Sequence, residues 1–315
     1  MLAALSLSAC SSLNGIPGLA LIGDKKAYAQ ARDLYNEGHY EQAIQELNAY
    51  IQKTQNVKRR EARAYRLLGK SYEHTEQLSK ALEVYLEALE FHPKNVPLLV
   101  AAAELYQRTG LTDRSIALYE RALAQDPNRL EALSGQAENY RTMGFYTKAR
   151  EFYDRFFALH PEAQAHYRAQ YADTFLNQRQ YEQAFINITM ALEQDHTSPD
   201  FWLISARSIY GLGYTEDALK NLDTALRLAP LRHDLLATKA LMLYQNKQHK
   251  ASLQTAEQLL VIAPDNQLGL FIKALNLHAL GELPQVQQIL SQISALNATS
   301  FIGQTAAQWH EILSQ

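Results

Sequence analysis

A chain of 315 residues, 47% hydrophobic and 20% charged, has the composition of a folded protein and excludes wholesale disorder. Its 30 basic and 33 acidic side chains leave a net charge of -3, which gives no global reason to expect nucleic acid or an anionic surface as the main partner. No run of 18 or more apolar residues is present, so no segment reads as a membrane-spanning helix.

The sequence opens Met1-Leu2-Ala3-Ala4-Leu5-Ser6-Leu7-Ser8-Ala9-Cys10, and Cys10 is the sole cysteine, so no disulfide can form within the chain. Residues 1–9 are apolar or small, as in the core of a secretory leader. No Lys or Arg precedes Cys10 and the apolar core is at the short end for a leader, so the leader is expected to be incomplete. Leu7-Ser8-Ala9-Cys10 resembles the lipobox of bacterial lipoproteins. The resemblance implies cleavage before Cys10, a diacylglycerol on its thiol and a further acyl chain on the new amino terminus. Each buried CH2 contributes about 0.8 kcal/mol, so several chains anchor stably where one does not. Ser11 after the cysteine, in place of Asp, implies the outer-membrane sorting class and a periplasmic face. Residues 1–9 are therefore expected to be a signal peptide and residues 10–23 a lipidated tether, with Gly15, Pro17, Gly18 and Gly23 breaking any helix.

From Asp24 onward the chain repeats. The first unit, 24–57, carries Gly38, Tyr40 and Ala43, and Lys58-Arg59-Arg60-Glu61 separate it from the second, 62–95. In that second unit Tyr65, Leu68, Gly69 and Tyr72 fall at i, i+3, i+4 and i+7, one stripe of a helix. Leu82, Tyr85, Leu86 and Leu89 stripe a second helix, which Pro93 ends. Gly69 and Ala81 are expected to be small because the two helices cross there. The third and fourth units, 96–129 and 130–163, are in phase with it. Tyr72, Tyr106 and Tyr140 recur every 34 residues, as do Tyr85, Tyr119 and Tyr153, and Pro93, Pro127 and Pro161. Gly110 and Gly144 mark turns that need a positive φ. The fifth unit, 165–198, is shifted by one residue and has His196 where proline is expected. The sixth, 199–232, the seventh, 233–266, and the eighth, 267–300, restore the pattern. In the last segment, 301–315, Ile302, Ala306, Trp309, Ile312 and Leu313 share one face, as a helix capping the final repeat requires.

The pattern Tyr65-x2-Leu68-Gly69-x2-Tyr72…Ala81-x3-Tyr85…Ala88…Pro93 resembles the tetratricopeptide repeat family over residues 24–300. The resemblance implies an all-α, right-handed superhelical solenoid of about eight helix pairs. The first helix of each pair would line a concave groove that holds proteins or peptides.

No catalytic constellation accompanies the repeats. There is no G-x-x-x-x-G-K-[ST] loop, Gly211-Leu212-Gly213 reads as a repeat turn, and His310-Glu311 lacks a second histidine at i+4. No enzyme activity, metal, cofactor or small-molecule substrate is expected. The family's inward-facing positions, carried onto this chain, give Lys25, Tyr28, Arg32, Tyr35, Arg63, Arg66 and Lys70 at the start, beside Lys58, Arg59 and Arg60. They give Glu104, Glu131, Glu138 and Asp173 in the middle, and Leu203, Tyr210, Leu241, Tyr244, Leu268, Phe271 and Leu275 at the end. The groove is thus expected to be basic, then acidic, then apolar. The Asn set that accompanies Lys and Arg in clamps for a chaperone tail is absent. Lipobox and repeats together resemble tetratricopeptide repeat lipoproteins that assist pilus and secretin assembly. Adaptors for cell-wall enzymes and a soluble cytosolic co-chaperone or regulator are the alternatives, with nucleic-acid binding through 58–70 a further one.

Overall fold

The structure is a computed structural model that describes residues 17–54 and 61–314, of which 17–25 and 54 are described as helical backbone alone. The expected signal peptide, Cys10 and the cluster Lys58, Arg59 and Arg60 lie outside the described residues, as does the side chain of Lys25. Among the described residues there are seventeen α-helices and no strand. They fall into two compact halves, 1–161 and 162–315.

The amino-terminal half holds four hairpins. These are α1 (Pro17–Asn36) with α2 (Tyr40–Thr54), α3 (Ala62–His74) with α4 (Leu78–Phe91), α5 (Val96–Arg108) with α6 (Thr112–Gln125), and α7 (Leu130–Thr142) with α8 (Tyr146–Leu159). The carboxy-terminal half holds four more. These are α9 (Ala165–Asn177) with α10 (Tyr181–Gln194), α11 (Pro199–Gly211) with α12 (Thr215–Leu228), α13 (His233–Gln245) with α14 (His249–Ile262), and α15 (Gln267–Ala279) with α16 (Leu283–Leu296). A last helix, α17 (Phe301–Ser314), follows. Within each half a helix packs on its hairpin partner and on its nearest neighbours in sequence, so the core is a string of local interfaces.

One expectation is corrected at the start. Residues 17–23 were expected in a tether without helix, yet the backbone is helical from Pro17. Proline is tolerated in the first helical turn because no N–H is missed there. Gly18 and Gly23 each disfavour a helix by about 1 kcal/mol without forbidding it.

All eight hairpins turn in the same way. The residue two past each first helix has a positive φ: 76–94° at Gly38, Gly110, Gly144, Gly213 and Gly281, and 57–60° at Glu76, Arg179 and Lys247. The next N–H reaches back to a carbonyl five residues earlier, as from Leu111 to Tyr106 (2.8 Å) and from Gln180 to Phe175 (2.9 Å). That bond and the left-handed residue before it close the helix end as a Schellman cap.

The repeating tyrosines have two roles. Tyr85, Tyr119 and Tyr153 are fully buried, and their hydroxyls cross to the partner helix, donating to Glu73 (2.7 Å), Gln107 (3.3 Å) and Glu138 (3.4 Å). Gly69 leaves room for Tyr85: a Cβ there would stand 2.2 Å from the ring's Cε1. Gly135 does the same for Tyr119 of the preceding hairpin, at 2.2 Å from Cζ. The small residue thus makes a slot for a ring as well as a place for helices to cross. In the other column Tyr106 is buried and Tyr72 and Tyr140 half-buried. A cation covers each, Lys80 over Tyr72 (5.6 Å), Arg114 over Tyr106 (5.6 Å) and Lys148 over Tyr140 (5.2 Å). Leu86, expected in the stripe of α4, is instead 37% exposed.

Neighbouring hairpins are also pinned by buried polar pairs. Asn139 on α7 donates to Ser115 on α6 (2.8 Å), and Asn276 on α15 donates to Ser252 on α14 (2.7 Å). At the end of the chain Ala306 is fully buried, and Ile302, Trp309 and Leu313 pack on the cluster of α15 and α16. Ile312, expected on the same face, is 68% exposed: it sits one helical step, 100° round the axis, from Leu313, too far to share its contact.

Candidate functional site

In the amino-terminal half α1, α3, α5 and α7 lie side by side and carry the expected inner positions. Much of the basic start is already paired. Arg32 bonds Asp33 (2.9 Å), and Arg63 bonds Glu61 (2.6 Å) while its guanidinium lies over the Tyr28 ring (4.5 Å). The hydrogen bond to Glu61 raises the Arg63 pKa further. Arg66 and Lys70 are exposed with no ion pair among the described residues. Tyr35 shares a hydrogen bond with His74 (3.0 Å), whose ring stacks on Tyr40 at 4.2 Å. Partial burial, then the neighbouring Tyr40, pushes the Tyr35 hydroxyl pKa up.

The acidic middle of this half is braced by arginines. Glu73 pairs with Arg108 (2.5 Å), Glu131 with Arg129 (2.8 Å) and Glu138 with Arg141 (2.8 Å). Glu104 has no such ion pair. Its side chain is exposed at the surface, yet the surrounding protein partly desolvates it. That desolvation, and then the Glu73 charge, holds its carboxyl above the usual range.

In the carboxy-terminal half the expected residues divide. Tyr210 and Leu241 come together on a cleft of about 520 Å³, opened across α9, α11 and α13. The backbones of α11 and α13 approach less closely than other successive first helices of either half, and the cleft lies in that gap. The Tyr210 hydroxyl bridges the gap, donating to Gln245 Oε1 at 2.6 Å. Two arginines, Arg179 and Arg207, also line it.

The other expected residues stand elsewhere. Leu203 packs against the cluster of Ala206, Ile209 and Leu222, and Leu268 against that of Leu236 and Leu259. Phe271 is covered by Trp309 of α17, the rings 5.9 Å apart, so the last helix closes that part of the apolar end. Tyr244 is half-buried against His249 (5.4 Å), and Leu275 is half-buried. Asp173 accepts a bond from Asn177 on its own helix (3.1 Å).

Two residues that line the cleft were missed from the sequence. Arg207 occupies the same helical register as Arg32, Lys70, Glu104, Glu138 and Asp173, so the signal was present. Arg179 sits in a turn, where no register points inward. Among the described residues no group of His, Cys, Asp and Glu could hold a metal, and no helix is long and apolar enough to cross a membrane.

Two tetratricopeptide repeat profiles match the sequence, one over residues 28–96 and 205–267 and the other over 74–138. Together they span more than half of the chain. The chain belongs to the tetratricopeptide repeat family. Among curated proteins none matches it significantly. Among solved structures, this tetratricopeptide repeat protein is similar to one from Parabacteroides merdae, with 16% identity and a TM-score of 0.58 over 81% of this chain and 98% of that one. It is also similar to pilF of Pseudomonas aeruginosa, with 18% identity and a TM-score of 0.55 over 68% of this chain and 97% of that one. A third is YrrB, described as a tetratricopeptide repeat protein with an unusual peptide-binding site, with 17% identity and a TM-score of 0.52 over 61% and 98%. At these identities the likeness is one of fold.

Proposed function

We propose that this tetratricopeptide repeat protein is a non-catalytic scaffold that holds partner proteins on the faces of its first helices. The cleft across α9, α11 and α13 carries the reading: it joins apolar side chains to charged ones that the fold itself leaves unused. The peptide-binding site described for YrrB supports the same use of this fold. The scaffold works at the bacterial outer membrane, anchored through lipid on Cys10 and facing the periplasm, where it assists assembly of a pilus, secretin or other envelope machine. The lipobox-like Leu7-Ser8-Ala9-Cys10 ahead of the repeats supports that location.

Two measurements test the reading. Labelled palmitate is expected to enter the wild-type chain and not Cys10→Ala, with the protein in the outer-membrane fraction; an unlabelled protein in the cytosol supports the co-chaperone alternative instead. A photo-crosslinking residue at Tyr210 is expected to capture pilus or secretin components in cells. Adducts with cell-wall enzymes would move the assignment to an adaptor of those enzymes, and none at all would remove the scaffold.

A further inference from the structure

The cleft of the carboxy-terminal half has a chemistry that narrows its occupant. Arg179 and Arg207 line it, and neither guanidinium has a hydrogen bond or ion pair among the described residues. No Asp or Glu lines it. Of the nearby carboxylates, Asp173 on α9 accepts from Asn177 at the edge of the cleft (3.1 Å), Asp200 and Asp234 both hold Arg232, Asp223 holds Lys239 (2.6 Å) and Asp217 holds Lys220 (2.8 Å). The lining therefore carries two positive charges and no carboxylate of its own. Leu176, Leu241 and Met242 give the same cleft apolar walls, and Tyr210, its hydroxyl already bonded to Gln245, offers its ring.

The geometry points to a peptide segment of a partner protein in which a carboxylate stands next to an aliphatic or aromatic side chain. The carboxylate meets the two guanidiniums, whose planar donors suit its two oxygens. The apolar neighbour rests on Leu241 and the Tyr210 ring. A cleft of about 520 Å³ has room for a few side chains, not for a folded domain. Phosphate or nucleic acid would use the arginines and leave the apolar walls without a role. This inference rests on the scaffold reading and names the partner chemistry for it.

Selection of a random peptide library on the full chain tests it, with an Arg179→Gly/Arg207→Gln variant selected in parallel. Arg179 holds a position where five equivalent turns carry glycine, so the first change keeps the turn. Arg207 is exposed and unpaired, so the second removes no internal bond. Peptides with Asp or Glu beside Leu, Ile, Phe or Tyr are expected from the wild type and not from the variant. A synthetic winner, followed by fluorescence anisotropy, should bind about tenfold more weakly for each arginine lost. Winners that are basic or purely apolar, or that bind the variant equally well, overturn the acidic partner and leave the scaffold standing. A library that enriches nothing on either chain overturns both.

Discussion

At the scale of single residues the molecule is governed by what its glycines leave open. Gly69 admits the Tyr85 ring, and any Cβ there would overlap Cε1, Cζ and Cδ1 of that ring, at 2.2, 2.5 and 2.8 Å. Gly69→Ala is therefore expected to cost about 1–3 kcal/mol in urea denaturation. The same change in a Tyr85→Leu background should cost much less, because the clashing atoms are gone. Equal costs in the two backgrounds would show that the ring is not what Gly69 serves. Glu104 makes the opposite kind of statement. Its folded carboxyl is held above the ordinary value of 4.5, so the charged form is disfavoured in the fold. Native Glu104 binds protons more readily than the unfolded chain, so its penalty is absent below about pH 4.5 and complete above its folded pKa. Glu104→Gln should raise the melting temperature at neutral pH and change nothing in acid. The gain is expected to be under about 1 kcal/mol because water screens an exposed carboxylate.

At the scale of elements the hairpin is the unit, and its turn sets a conformation that the sequence obeys unevenly. Five left-handed positions carry glycine, while Glu76, Arg179 and Lys247 hold side chains at φ 57–60°. A side chain in that region costs roughly 1–2 kcal/mol, and glycine returns about 0.4–1 kcal/mol of that through the freedom of the unfolded chain. Lys247→Gly should therefore stabilise by about 0.5 kcal/mol, and Gly144→Ala should destabilise by about 1 kcal/mol or more. Opposite signs in thermal melts would mean that these turns are not held as described. The hairpins were legible in the sequence because each buries one stripe at helical spacing and ends in a residue the helix cannot use. Pro17, Gly18 and Gly23 misled because a proline opening a helix and a proline ending one look alike in sequence. The site was only partly legible. Register places Tyr210 and Arg207 on an inner face, but which inner residues stay open depends on gaps between helices. Leu203 and Leu268 fell into neighbouring clusters, and Trp309 closed over Phe271. The cations over Tyr72, Tyr106 and Tyr140 recur every 34 residues and could have been read, since Lys80, Arg114 and Lys148 follow each ring by eight.

At the scale of the whole molecule, stability is a sum of neighbour terms. Each half is a string of hairpins that pack on their neighbours, without a shared central core. Damage should therefore spread only as far as the interfaces it weakens. Trp309 is the place to test this, because it sits on the last helix and packs on Phe271 and His278 of α15. Trp309→Ala removes a half-buried ring and is expected to cost about 2 kcal/mol, less than the full loss from a closed core. Native-state hydrogen exchange should show lost protection in α17, α16 and α15, with α3 to α7 unchanged. A uniform loss across all helices would mean that the chain unfolds as one cooperative body. Local loss has a functional consequence that the same experiment can read. If α13 keeps its protection while α17 frays, the cleft that holds Arg207 and Leu241 survives removal of the cap, and peptide affinity should be unchanged in Trp309→Ala. The cap would then serve the end of the stack, and the cleft would stand on α9, α11 and α13 alone.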